Sequence, residues 1–266
     1  MILTFITIIF LLLLFSKKFR ESLKAFLKYF PEFYDSLIIR NKDSFFKISL
    51  ILIVTVLILD TFVEIVFSIF EVPETITWNF LSNFISAAIW LYLLKRVILI
   101  LFNQNVNDYF KTDFGILKGF SLAILLIGLV LGVSYVTYPI ASQLPTFEIF
   151  DEIRQKIFQK PKTGFEFILL ALSISLIPAF IEEIFFRGVL YKNFRKKYGI
   201  TISVIILTII FYLFHLDPQM IFFLIIGNIV LCLSFEYTKS LVVPFVIHLG
   251  INFSSLLFFL NNQKAP

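Results

Sequence analysis

Charged residues are scarce in this chain of 266 residues: they make up 15% of it, whereas apolar residues make up 59%. The mean hydropathy is +0.94. An average globular domain is about one quarter charged, so the composition argues against a soluble protein. Intrinsic disorder is excluded as well, because a disordered chain needs low hydrophobicity and high net charge. The remaining class is a protein that uses the lipid bilayer as its solvent.

Cysteine is also rare, since Cys232 is the single cysteine and no disulfide can form within the chain. The sequence has no Cys-x-x-Cys pair, no glycine-rich phosphate loop, no His-Glu-x-x-His motif and no internal repeat. The common signatures of thiol redox, nucleotide-binding and zincin sites are therefore missing. The net charge is +5. In so apolar a chain, basic loops that face anionic lipid explain this charge better than nucleic acid does, and we expect no nucleic-acid partner.

Long apolar stretches occupy most of the chain. A spanning helix needs roughly 17–25 residues, and eight stretches approach that length: 1–16, 48–70, 78–103, 117–138, 165–190, 200–216, 219–236 and 240–260. The sequence therefore predicts an all-α, polytopic bundle of about eight transmembrane helices. The first stretch lacks the basic start and the small-residue cleavage site of a secretory signal, so we expect it to remain as an anchor.

The basic residues of the connecting loops test this topology. With the N-terminus outside, the loops on one side of the membrane hold 15 Lys and Arg residues, and the loops on the other side hold 5. Because basic loops favour the inner side, this bias supports the order of the spans and their orientation. We expect an integral, multi-pass membrane protein, in the plasma membrane if its source is bacterial.

The chain divides by content into two parts. Residues 1–160 are predicted to hold N-terminal transmembrane helices together with a basic helix, 19–30, that lies on the membrane surface. Four apolar residues recur in that helix at helical spacing among lysines: Leu23, Phe26, Leu27 and Phe30. Pro31 is expected to end it. Residues 161–266 are predicted to form the functional core.

Beyond its first turn, the fifth apolar stretch carries three charged residues, although ionisable groups inside a span are costly and usually face a cavity or one another. Glu183 and Arg187 are four residues apart, in the favourable order for an ion pair on one helix face. Glu182 is rotated from Glu183 by about 100°, so it needs another role. Pro178 is expected to kink the helix and open space beside Glu182. A capping role for all three charges near the inner interface is the alternative.

Both histidines of the chain lie in later apolar stretches. His248 and Asn252 are four residues apart and share a helix face. Together with His215 and Glu182 they supply a general base, a second imidazole to move a proton, and two donors for an oxyanion, which are the parts that hydrolyse an amide. A lone histidine in a span is more often a packing residue. His215 is expected nearer the outer end of its span than the others, so cooperation requires a tilted or broken helix.

Three motifs on successive apolar stretches carry a family resemblance: Glu182-Glu183-Ile184-Phe185-Phe186-Arg187, Phe211-Tyr212-Leu213-Phe214-His215 and His248-Leu249-Gly250-Ile251-Asn252. This ordered set resembles the CPBP family of membrane-embedded proteases, which includes the type II CAAX prenyl endopeptidases and the Abi-type bacteriocin-processing and immunity proteins. The resemblance covers about residues 165–255. It implies that residues 161–266 form a CPBP-like catalytic core.

The resemblance also implies roles for the matching residues. Glu182 and His215 would activate the attacking water, and His248 and Asn252 would bind the oxyanion. The implied reaction is the hydrolysis of peptide bonds within the membrane.

Further implications concern structure and partners. Glu183 and Arg187 would be mainly structural, and the substrate would be a membrane-associated peptide or a lipidated protein. We expect no cofactor. Zinc is the alternative, because two histidines and a glutamate are suitable zinc ligands.

Two other functions remain open at this point. A non-catalytic membrane protein, such as an immunity factor or a scaffold, would keep the same fold. A small transporter would use Asp60 and Glu64, paired across helices with Lys95 and Arg96. An interfacial position beside an acidic outer loop is the simpler explanation of those two acids.

Overall fold

The computed structural model describes most of the chain, and the residues that it describes are 17–41, 47–48, 51, 54–55, 75–111, 113–144, 159–215 and 217–262. The chain divides into two compact units, Met1–Asn103 and Gln104–Pro266. Secondary structure among the described residues is helical, with no β-strand. The predicted all-α class is therefore confirmed.

Several predictions concern residues outside these ranges. They include the first predicted span, 1–16, and almost all of the second, 48–70. Asp60 and Glu64, the two acids of the transporter alternative, lie in that second stretch. The side chains of residues 22–27, which form most of the predicted apolar face of the surface helix, also lie outside what the structure describes.

Two long helices are described in the N-terminal unit: α1, Lys17–Asn41, and α2, Ile76–Phe102. Arg96 on α2 donates to both carboxylate oxygens of Asp35 on α1, with Nε 2.6 Å from Oδ1. Apolar residues on both helices are buried: Tyr34, Ile38, Leu93, Leu94, Val97 and Ile98. The forked Arg–carboxylate geometry fixes two helices that otherwise pack through apolar side chains.

The predicted end of the surface helix at Pro31 is wrong, because α1 continues to Asn41. Proline removes one backbone donor inside a helix, at a cost of about 3 kcal/mol or more. Beyond Pro31, Tyr34 and Ile38 become buried and Asp35 pairs with Arg96. These tertiary contacts offset the lost hydrogen bond, and they depend on a helix far away in sequence.

The C-terminal unit contains six described α-helices: α3 Ile116–Ala141, α4 Gly164–Ala171, α5 Ile177–Glu183, α6 Lys192–His215, α7 Ile221–Thr238 and α8 Val242–Asn262. Two π-helical segments, Leu172–Leu176 and Ile184–Tyr191, join α4 to α5 and α5 to α6. Short 3-10 turns lie at Val106–Phe110 and Pro218–Met220. From Gly164 to His215 the chain is thus one helical run with wide turns on both sides of α5.

Helix α3 packs against α7 and α8. The buried core between them consists of small and branched residues: Ala123, Val130, Val230, Leu231, Val243, Ile247 and Ile251. Because of this packing, the compact C-terminal unit begins at Gln104, which differs from the predicted boundary between residues 160 and 161. The motifs begin only at Glu182, so they gave no sign that α3 belongs to the same core.

The other side of α3 is apolar and exposed. Leu117, Leu125 and Val136 have 84%, 71% and 72% of their surface accessible. Monomeric soluble proteins rarely expose large contiguous apolar patches, whereas a lipid-facing helix carries such residues without cost. The exposed face of α3 is therefore a surface for lipid.

Five helices among the described residues are long and apolar enough to cross a membrane: Ile76–Phe102, Leu117–Ala141, Gly164–His215, Pro218–Thr238 and Val242–Asn261. The run Gly164–His215 has 52 residues and contains two of the predicted stretches, 165–190 and 200–216. The described helices thus correspond to six of the eight predicted spans. They support an integral membrane bundle, and the count of about eight stays a prediction.

Gly199 separates the two halves of that run, with φ 78° and ψ −177° inside α6. A positive φ is readily adopted by glycine alone, so the helix breaks at this residue. The predicted loop 191–199 is otherwise helical, which is a correction. Lysine and arginine, which are frequent in this segment, favour helix when no tertiary constraint opposes it.

Pro178 was expected to kink the fifth span. The π-helical segment Leu172–Leu176 directly precedes α5, in which Pro178 occupies the first turn. Proline has no backbone N–H to donate to the carbonyl one turn earlier. A change of helical pitch beside Pro178 is consistent with this missing hydrogen bond. Pro178 lies one turn before Glu182, and the change of pitch lies just before Pro178.

Candidate active site

Glu182 and Glu183 end α5, where the regular helix gives way to the π-helical segment Ile184–Tyr191. Every residue of that segment is buried. Such π-helical turns are rare in proteins, and many of those that do occur lie at functional sites. Glu183 is fully buried, whereas the side chain of Glu182 keeps 28% of its surface exposed. The two adjacent acids therefore have different surroundings.

Glu183 forms an ion pair with Arg187. The Nη1 atom of Arg187 donates to Oε1 of Glu183 at 2.9 Å, and both side chains are completely buried. This contact confirms the pairing predicted from the four-residue spacing. Buried charges are stable only when they are paired and hydrogen-bonded, so removing either partner would leave the other charge exposed to a low-dielectric interior.

Asn228 on α7 completes the surroundings of Arg187. Its Oδ1 accepts from Nη2 of Arg187 at 2.5 Å, and its amide nitrogen donates to Thr208 Oγ1 at 2.9 Å. Sequence reasoning missed Asn228 and Thr208. The sequence did place the carboxamide of Asn228 inside an otherwise apolar span. Such a side chain usually forms a hydrogen bond to a neighbouring helix.

His248 on α8 lies between the two acids. Its Nδ1 is 2.7 Å from Oε1 of Glu183, and its Nε2 is 3.9 Å from Oε2 of Glu182. The first distance is a hydrogen bond and the second is too long for one. The family resemblance predicted that His248 and Glu182 share one site, but the sequence gave no indication that Glu183 binds the imidazole of His248.

Three buried polar atoms of this cluster make no hydrogen bond to any described residue: Glu182 Oε2, Glu183 Oε2 and Arg187 Nε. A buried polar atom without a partner costs about 1–3 kcal/mol. Such atoms in a native protein call for an explanation, for example a ligand or water that bonds them. Oε2 of Glu182 lies 3.9 Å from Nε2 of His248, so a water molecule or a polar group of a substrate beside them would bond both atoms.

His215 ends α6 and is exposed. Its Nδ1 donates to the backbone carbonyl of Phe211 at 2.9 Å, and its ring contacts the ring of Phe211 at a tilt of 35°. Among the described residues, the hydrogen bonds of His215 stay within its own helix, and none reaches Glu182. The Nε2 atom of a neutral His215 therefore carries the lone pair and can accept a proton.

The ring of Phe211 contacts the rings of both histidines. Its ring centroid is 4.7 Å from that of His215 and 6.1 Å from that of His248, so the two imidazoles are at most about 11 Å apart. One leaflet of hydrocarbon is about 15 Å thick. The difference in depth between the two histidines is therefore smaller than one leaflet.

Asn252 follows His248 by one turn on α8 and is half-buried. Gly250 lies between them, where a Cβ atom would stand 2.5 Å from Cδ1 of Ile127 on α3. The close approach of α3 to α8 at Gly250 sets the position of the helix that carries both predicted oxyanion ligands.

The zinc alternative requires several suitable ligand side chains close together. Within the described ranges, no group of three His, Cys, Asp or Glu side chains converges in the manner of a metal site. A reaction without a cofactor stays a prediction, and so does the zinc alternative.

Comparison with known proteins adds independent information. Residues 164–254 match the family described as type II CAAX prenyl endopeptidase Rce1-like. This match confirms the resemblance to the CPBP intramembrane proteases that the three motifs predicted, over nearly the same residues. No curated protein and no solved structure matches the chain.

The Rce1-like segment begins with α4 and ends within α8. It contains the whole cluster of Glu182, Glu183, Arg187 and His248, together with His215 and Asn252. The matched segment is about a third of the chain, and over that length the chain is similar to the type II CAAX prenyl endopeptidases.

Proposed function

We propose that this protein hydrolyses peptide bonds of membrane-associated peptide or protein substrates, with Glu182 as the base that activates water. The observation that carries the proposal is the position of His248 between Glu183 and Glu182, at 2.7 Å and 3.9 Å. One acid holds the imidazole in place, and the other keeps a buried oxygen without a partner among the described residues.

The charges of the cluster suggest how His248 acts. Glu183 is an acceptor, so Nδ1 of His248 carries a proton. When Nε2 is protonated too, the two carboxylates and two cations of the cluster form a neutral set. In that state, Nε2–H donates a hydrogen bond to the oxyanion that forms when water attacks the substrate.

The proposed reaction balances without a further reactant. Glu182 accepts a proton from water while the water oxygen bonds to the carbonyl carbon of the substrate. The carbonyl oxygen becomes an oxyanion beside His248 and Asn252. The carbon–nitrogen bond then breaks, the nitrogen takes the proton from Glu182, and the products are an acid and an amine.

His215 has the second proton-transfer role in this proposal. Its Nδ1 is bonded to the carbonyl of Phe211, so Nε2 is the acceptor that would assist Glu182 with the attacking water. The contact of Phe211 with both imidazoles supports a role beside the same site.

The substrate class follows from the family and from the location of the site. Glu183 and Arg187 are buried inside a helix that is apolar enough to cross a membrane, so a substrate must reach the site from the bilayer. We propose a membrane-associated or lipidated protein as the substrate, in line with the prenyl endopeptidase description of the family.

Comparative proteomics of membrane peptides tests the proposal. Cells with Glu182→Gln are expected to accumulate uncleaved substrates, because loss of a general base lowers the rate by about 10²–10⁴-fold. The matched control is Glu32→Gln, which changes an exposed acid on α1. Both variants must be present in the membrane at the wild-type level.

Three other results would decide against parts of the proposal. Continued cleavage by Glu182→Gln would exclude the mechanism. Identical peptide profiles with and without the wild-type protein would favour the non-catalytic immunity or scaffold function. Loss of cleavage on chelation, with recovery on added zinc, would favour the metal alternative.

A further inference from the structure

A cavity of about 450 Å³ lies at the ends of the helices, away from the candidate active site. None of the predicted catalytic residues lines it. Its walls are formed by ten residues from three segments of the C-terminal unit: Gln104, Asp108, Tyr109, Tyr191, Lys192, Arg195, Lys196, Phe235, Glu236 and Lys239. The volume is within the usual range for small-molecule sites.

The cavity has an excess of positive charge. Four of the lining residues are basic and two are acidic. One acid, Glu236, is already bound by Arg195 Nη2 at 3.2 Å and Lys239 Nζ at 2.5 Å, and the other, Asp108, by Lys111 Nζ at 2.7 Å. With both carboxylates engaged, the net charge of the lining residues favours an anion.

Aromatic side chains form the remaining wall. The Nζ atom of Lys192 lies 4.0 Å from the ring centroid of Tyr109 and donates to Oε1 of Gln104 at 2.7 Å. The hydroxyl of Tyr191 donates to Glu236 at 2.9 Å. Aromatic rings beside cations are typical of the membrane interface, where lipid headgroups lie.

Tyr109 belongs to the wall of the cavity. The residue is 4% exposed, and its hydroxyl makes no hydrogen bond to any described residue. Burial, together with the charge of Asp108, raises the pKa of the Tyr109 phenol, so the hydroxyl stays protonated. A buried donor of this kind is stabilised when a bound group accepts its proton in a hydrogen bond.

We propose that this cavity binds the phosphate-bearing headgroup of an anionic phospholipid. The segments that form it follow or precede spanning helices at the membrane side that holds the basic loops, and the inner leaflet is the anionic one. Basic pockets between helices on that side are suited to anionic headgroups. The proposal does not depend on the proposed protease activity.

Native mass spectrometry of the full chain in mild detergent measures this binding directly, with phosphatidylglycerol compared with phosphatidylcholine. Lys192→Gln combined with Lys196→Gln is expected to weaken phosphatidylglycerol binding about 30-fold, since each basic residue near an anionic surface contributes about fivefold. The matched control combines Lys118→Gln with Lys197→Gln. These two lysines are exposed, do not line the cavity, and carry the same total charge.

Two single variants guard against misfolding. Lys196→Gln changes an exposed side chain and is expected to weaken binding about fivefold. Tyr109→Phe removes only a hydroxyl that has no partner among the described residues, so it should weaken binding about tenfold without lowering thermal stability. Glu182→Gln should bind phosphatidylglycerol as the wild type does, which separates this proposal from the proposed function.

Three outcomes would overturn the assignment. Equal weakening in the control double variant would mean general charge attraction and no specific site. Unchanged binding in Tyr109→Phe and Lys196→Gln would mean that the lipid lies elsewhere. Stabilisation by inorganic phosphate alone that equals the effect of phosphatidylglycerol would assign the cavity to a free anion instead of a lipid.

Discussion

Nδ1 of His248 lies 2.7 Å from Oε1 of Glu183, the same carboxylate oxygen that accepts from Nη1 of Arg187 at 2.9 Å. One buried acid thus connects α8 to the π-helical segment that follows α5. An imidazole bonded in this way has a fixed orientation, and its second nitrogen faces Glu182. Glu183, which the family resemblance makes mainly structural, therefore also positions His248.

Glu183→Gln tests this positioning role. The amide keeps an oxygen that can accept from His248, but the negative charge that stabilises a protonated imidazole is lost. We expect kcat for a cleaved substrate to fall about 10²-fold with little change in KM, as for the loss of one oxyanion donor. Glu166→Gln, on α4 of the same helical run, is the control and should leave kcat unchanged. A wild-type kcat in Glu183→Gln would contradict the role.

Arg187→Met is expected to destabilise the protein by about 3–5 kcal/mol, because it leaves Glu183 as an uncompensated buried charge. Equilibrium unfolding of the purified protein in detergent measures this loss. The control is Arg195→Met, which removes a partly exposed ion pair with Glu236. Exposed pairs contribute about 0–1 kcal/mol, so the control should lie close to the wild type. Equal effects of both changes would show that burial of the Glu183–Arg187 pair is unimportant.

The two histidines should respond differently to replacement by alanine. His215 is exposed and bonds only its own helix, so His215→Ala is expected to abolish cleavage while stability stays within about 0.5 kcal/mol of the wild type. His248→Ala also removes a partner of a buried acid, and it should abolish cleavage and lower the free energy of unfolding by about 1–3 kcal/mol. Unfolding and cleavage measured on the same samples compare the two effects. Full activity of His215→Ala would remove that residue from the mechanism.

Gly250→Ala should lower stability by about 1–3 kcal/mol, since its Cβ atom would overlap Cδ1 of Ile127. Ile127→Val removes that methyl group and costs about 0.5–1.5 kcal/mol alone. We expect the double variant to be more stable than the sum of the single effects predicts, with a coupling of at least about 1 kcal/mol. Gly132→Ala on α3 meets no neighbour within 4 Å and is the control. Strict additivity would argue against a close α3–α8 contact at this point.

Much of the fold followed from local sequence features. Composition and the length of the apolar stretches predicted a helical membrane protein, because spanning helices must satisfy their backbone hydrogen bonds internally. The spacing of Glu183 and Arg187 predicted their ion pair, because residues four apart share a helix face. These features depend on neighbours within one or two turns.

Features that depend on distant segments were not predictable in the same way. The continuation of α1 past Pro31 depends on contacts with α2, and the boundary of the C-terminal unit depends on the packing of α3 against α7 and α8. Likewise, the sequence shows Asn228 only as a polar residue in an apolar stretch. Its hydrogen bond to Arg187 depends on the packing of α7 beside that residue. Side-chain chemistry alone did not identify its partner.

By itself, the sequence determined the membrane class, the family resemblance and the identities of the polar residues inside the spans. Only the tertiary structure decided that His248 binds Glu183 and faces Glu182, and that the ring of Phe211 contacts His248. The physical reason is that helical periodicity fixes which side chains share a face of one helix. The approach of α8 to α5 is fixed instead by packing and buried hydrogen bonds among residues that are far apart in the chain.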